Sequence, residues 1–68
     1  MITVKHTPYY GYGTNCYLSR RYDFERLEAI CRRSQIKLQL MSSGQAHGDY
    51  FTVREKDIAW FRLMCNVV

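Results

Sequence analysis

The chain contains no run of about 18 apolar residues, so it offers no helix for crossing a bilayer. Its first residues, Met-Ile-Thr-Val-Lys-His, lack the charged, apolar and small-residue zones of a signal peptide. It begins at Met1 and is read as a whole cytoplasmic gene product. One Pro and four Gly are too few for a linker, and no repeat or biased tract interrupts the sequence. A length of 68 residues excludes two domains and most cofactor-binding enzyme folds. The remaining composition, 47% apolar and 15% aromatic, excludes a disordered tail. A single small domain, residues 1–68, is the expectation.

Ligand-binding patterns are also scarce. Cys16, Cys31 and Cys65 are odd in number and widely spaced, which is no disulfide framework. They read as reduced thiols. With His6 and His47 they supply no C-x-x-C, C-x-C or H-x-x-x-H pair, so neither a metal nor another cofactor is expected. A domain this small buries only about 60% of its unfolded surface, so with disulfides and metal set aside an oligomer or partner is the expected supplement.

Catalytic patterns fare no better. Tyr9-Tyr-Gly-Tyr-Gly13 has Cys16 where a dinucleotide loop needs its third Gly, and no Walker loop is present. Glycines between tyrosines suit a binding loop, or a loop packed on the domain edge. Cys16 and His6, both expected to point inward across a first hairpin, offer no exposed thiolate. The short chain leaves little room for a substrate pocket, and no enzyme activity is expected. Cys65-Asn-Val-Val68 has C-a-a-X form but an unusual last residue, and a buried cysteine at a helix end fits better.

What is present is basic charge and aromatic area. The net charge is +4. Residues 1–37 hold seven basic and three acidic groups, and residues 38–68 hold three of each. Seven of the ten basic residues are Arg, accompanied by six Tyr. Both types favour interfaces, through large contact area and directional hydrogen bonds. A positive half suits an acidic protein face or a nucleic acid, and it equally suits a solvated helix face.

Hydrophobic periodicity gives the element order β-β-α-β-β-α. Ile2–Thr7 alternates as a strand, and Cys16–Ser19 returns as a short one after a Pro/Gly/Asn turn. Asp23 is placed to cap a helix whose inner face is Phe24, Leu27, Ile30 and Cys31, with Glu28 and Arg32 paired at i, i+4. Residues 36–41 and 50–54 alternate around a polar loop as an antiparallel hairpin. A second helix runs from Glu55 or Asp57 to about Asn66. The fold class is α+β: a two-layer sandwich of three to four antiparallel strands with both helices on one face.

Strand parity then divides the surfaces. Ile2, Val4, His6, Cys16, Leu18, Ile36, Leu38, Leu40, Phe51 and Val53 point to the helices. Thr3, Lys5, Tyr17, Ser19, Lys37, Gln39, Met41, Tyr50, Thr52 and Arg54 point away. On the second helix Ile58, Phe61 and Cys65 fill a buried stripe, which leaves Trp60, Leu63 and Val67 surplus. That flank either packs on the first helix or meets a second copy or partner.

These features give two readings. The first is a small non-enzymatic interaction protein, a regulator or inhibitor in size and shape like those of bacteriophages and mobile elements. It would dock on a protein or nucleoprotein partner through Tyr9, Tyr10, Tyr12, Arg20, Arg21, Arg26, Arg33, Trp60 and Leu63, with a homodimer as one form of contact. The alternative is a module for single-stranded DNA or RNA, with bases stacked on Tyr17 and Tyr50 and the strand held by Lys5, Lys37, Gln39 and Arg54.

Overall fold

The computed structural model describes residues 1–7, 15–44 and 48–68. The elements are β1 (Thr3–His6), β2 (Cys16–Ser19), α1 (Arg21–Arg33), β3 (Leu38–Gly44), β4 (Gly48–Val53), a 3-10 turn (Glu55–Asp57), α2 (Ile58–Met64) and β5 (Asn66–Val67). The fold is α+β, with one five-stranded sheet in the order β3-β4-β2-β1-β5. Pairing is antiparallel except for β1 with β5, which makes the sheet mixed. The loop residues Tyr9, Tyr10, Tyr12 and Gly13, together with His47, lie outside the described residues.

Both helices cover the same face, because both reach Phe51. The Phe24 ring from α1 lies 5.2 Å from that of Phe51, and Phe61 from α2 lies 5.9 Å from it. Val4, Tyr17, Leu27, Cys31, Ile36, Leu38, Val53 and Cys65 complete the core. The alternation of β1, β3 and β4 is as expected, with Val4, Leu38, Phe51 and Val53 buried under the helices. Leu40 pairs with Phe51 and so faces the helices, yet it remains 48% exposed at the sheet's end.

The second strand inverts the expected parity. His6 pairs with Tyr17 and Tyr17 with Phe51, so Tyr17 faces the helices. Its ring is fully buried, 5.4 Å from His6, 5.9 Å from Phe51 and 4.9 Å from Phe61. Ser19 is buried with it, while Cys16 and Leu18 turn to the far face. The cause is position: β2 lies between β4 and β1, and Cys16, Tyr17 and Ser19 are all buried. A strand covered on both faces carries no alternation to read. The larger ring takes the place between the layers.

The ends of elements differ from the sequence reading as well. Helix α1 starts earlier, with Arg20 in the capping position and no side-chain cap, and Asp23 sits in the first turn. There its carboxylate complements the helix dipole. The helix closes in a Schellman arrangement: Ile36 N–H donates to the Cys31 carbonyl at 2.8 Å and Gln35 N–H to Arg32 at 3.1 Å. Gln35 takes the left-handed conformation this needs, at φ 61°. Strand β3 runs on to Gly44, and β4 begins at Gly48, which has φ 98°. A Cβ on Gly48 would overlap the Ser19 carbonyl, so only glycine lets β4 approach the end of β2 this closely.

The second helix stops at Met64, short of Asn66. Cys65 turns extended and the chain joins β1: Asn66 N–H donates to Ile2 at 2.8 Å, Val68 N–H to Val4 at 3.0 Å, and His6 N–H to Val68 at 3.0 Å. Val67, expected on a surplus helix flank, packs against the core instead.

Tyr17 Oη is buried with no hydrogen-bond partner among the described residues. An unsatisfied buried hydroxyl costs roughly 1–3 kcal/mol. Tyr17→Phe is therefore expected to raise unfolding stability by about 1 kcal/mol in urea titration. A loss of that size would show that the hydroxyl has a partner.

Candidate functional site

Helix α2 is seven residues long, about 10 Å at 1.5 Å per residue. So short a helix buries one residue fully, Phe61, with Ile58 and Met64 half-buried beside it. Trp60 is 65% exposed and Leu63 70% exposed. Of the two outcomes open for this flank, packing on α1 is not the one the structure adopts. Trp60 instead walls a surface hollow of about 530 Å³ lined by Ser34, Gln35, Ile36, Arg54, Lys56, Asp57 and Met64. The short chain thus forms a depression of pocket size, at the seam between the end of α1 and the start of α2.

Arg54 braces this seam. Its Nε donates to Asp57 Oδ2 at 2.9 Å, its Nη2 lies 2.8 Å from the same oxygen, and Nη2 also donates to the Gln35 carbonyl at 3.3 Å. One guanidinium therefore ties the Schellman turn to the turn that starts α2. Lys56 lines the same hollow as Trp60 and is exposed, as is Arg62 on α2.

The expected partner-binding arginines do not form one patch. Arg20 and Arg26 line another hollow with Met1, Ile2, Thr3 and Asp23, at the start of α1. Arg33 lies at the other end of this 13-residue helix, next to Ser34 and Gln35. Arg21 is exposed in the first turn. The structure brings Trp60 together with Ser34, Gln35 and Ile36 in one hollow, while Arg20 and Arg26 line a different one. Sequence reasoning missed Ile36, Lys56 and Met64 at this site. The available signal was the apolar Ile36 and Met64 flanking two predicted element ends.

On the far face of the sheet, Lys5, Leu18 and Tyr50 lie in one cross-strand row. Lys37, Gln39, Thr52 and Arg54 line a hollow of about 360 Å³ further along. Tyr17 is absent from this face, with Leu18 in its place. Tyr50 is half-buried and Arg54 is engaged by Asp57 and Gln35. Lys5, Lys37 and Gln39 remain exposed.

The three thiols are buried and unpaired. Cys16 and His6 point to opposite faces of the sheet, so they form no dyad; Thr7 Oγ1 donates to Cys16 Sγ at 3.6 Å. Cys65 Sγ donates to the Phe61 carbonyl at 3.3 Å, which is a buried thiol at a helix end. Among the described residues no three Cys, His, Asp or Glu side chains converge as metal ligands. No helix among them is long and apolar enough to cross a membrane. No protein family, no curated protein and no solved structure matches the chain.

Burial pushes the Cys31 thiol up to about 11, with the Asp57 charge adding to the effect. Burial likewise pushes Cys65 up to about 11, with Cys31 adding. Both are raised acids, so the unfolded chain releases their protons first as pH rises. Stability is thus independent of these groups below their ordinary value of 9.0 and falls between there and about 11. Denaturant titrations across that range are expected to show the decline, with a shallower slope in a Cys31→Ala, Cys65→Ala variant. An identical slope in the variant would contradict the assignment.

Proposed function

We propose that this chain is a small non-enzymatic interaction protein that docks on a protein or nucleoprotein partner, as a regulator or inhibitor does, through the outer face of α2. The observation that carries this reading is the exposure of Trp60 and Leu63 on a helix whose inner side is already filled. Burying a large apolar side chain contributes on the order of 1.5–3 kcal/mol, so a contact that covers both has a substantial driving force. Tryptophan is also enriched among the residues that dominate binding energy. Lys56 shares the hollow with Trp60, and its charge favours an acidic surface on the partner. Regulators of this size and build are typical of bacteriophages and mobile elements, and a cytoplasmic setting suits the free thiols.

The second reading, single-stranded nucleic acid on the far sheet face, keeps Lys5, Lys37, Gln39 and Tyr50. Its support is narrower, because Tyr17 is buried and Arg54 is already bonded within the chain.

Capture from lysate with and without nuclease, using wild-type and variant chains, tests the choice. Trp60→Ala with Leu63→Ala is expected to weaken partner binding by at least about thirtyfold, the effect of losing one hot spot. Stability should change by less than about 0.5 kcal/mol, as for exposed sites. Binding that survives this variant, yields only nucleic acid and falls steeply with salt would favour the second reading instead.

A further inference from the structure

Strand β3 ends the sheet among the described strands. End strands are usually guarded by Lys, Pro or an inward charge, because their free N–H and C=O groups invite another strand. Residues Leu38–Gly44 read Leu-Gln-Leu-Met-Ser-Ser-Gly, with neither charge nor Pro. Their guard is a register shift between Leu40 and Ser42, which leaves Leu38, Gln39 and Leu40 regularly paired before it, with Ile36 and Lys37 leading into the strand. Leu40 points toward the helix layer and is still 48% exposed. Beside it lies a hollow of about 360 Å³ lined by Glu28, Arg32, Gln35, Ile36, Lys37 and Leu38.

We propose that a second copy of this chain pairs with this edge, antiparallel, about a two-fold axis at Leu38. A two-fold contact must be complementary to itself, and this axis fixes the register. Ile36 lies opposite the partner's Leu40, and Lys37 opposite the partner's Gln39. No like charges oppose each other across the strands. Leu40 of each copy enters the hollow beside Ile36 of the other, which covers its exposed side chain. The pairing stops before the shifted residue Met41.

The helix layer meets the same condition. Glu28 and Arg32 border the hollow and share only an exposed contact of 3.5 Å within their own chain. The two-fold axis carries Glu28 of one copy toward the partner's Arg32 and repeats the pair in reverse. Opposite charges meet twice, which matches this edge to a second copy of itself. The α2 face with Trp60 is left uncovered, so this contact is independent of the proposed docking surface.

Sedimentation of the purified chain from the micromolar to the millimolar range tests the inference. The mass is expected to double, with amide exchange at Lys37 to Leu40 slowed at least about tenfold in the dimer. Leu40→Lys, at an exposed site with folding checked by circular dichroism, should weaken association at least about tenfold. Glu28→Arg should weaken it too, and adding Arg32→Glu should restore it. A monomer throughout the range would overturn the inference. So would a dimer indifferent to Leu40→Lys, one without added exchange protection at Lys37 to Leu40, or one lost instead on Trp60→Ala with Leu63→Ala.

Discussion

The rest of the structure depends on the placement of the Tyr17 ring between the sheet and α2. It touches His6 on β1, Phe51 on β4 and Phe61 on α2, so one side chain joins three strands to a helix. Phe24 extends the same cluster to α1 through Phe51. Truncating a buried aromatic ring costs roughly 3–5 kcal/mol. Total stability in small domains is about 5–15 kcal/mol, so the cluster decides whether two thin layers hold together. Turning Tyr17 inward also sends Leu18 and Cys16 to the far face, which alters what that face can bind.

The outer surfaces follow from the same geometry. Phe61 satisfies the inner side of α2, and the chain then leaves the helix to pair with β1. The three backbone bonds of that pairing and the packing of Val67 replace another helical turn. A helix cut this short has no width left to bury Trp60 and Leu63. At the other end of the sheet, the helix layer stops short of Leu40. Among the described residues, two of the uncovered apolar sites thus arise where each layer runs out, one on α2 and one on the edge of β3.

Much of this was legible in the residues. Alternation in β1, β3 and β4 assigns Val4, Leu38, Phe51 and Val53 inward because each of those strands sets apolar against polar neighbours. Glu28 and Arg32 show their i, i+4 spacing directly, and the surplus width of the last helix points to Trp60 and Leu63. Strand β2 was not legible, because burial on both faces removes the contrast that parity relies on. Strand β5 has two residues, too few for any period. The end of α1 carries Gln35 where glycine usually marks a Schellman turn, and Arg54 reads as a free cation until the fold brings Gln35 and Asp57 to it.

Trp60 is the chain's one tryptophan, and its fluorescence reports directly on the outer face of α2. The most direct test is the emission and iodide quenching of Trp60 in the folded chain. A ring this exposed should emit close to free tryptophan in water and be quenched nearly as efficiently as in the unfolded chain. A blue-shifted emission that iodide fails to quench would show the ring to be buried and would contradict the account.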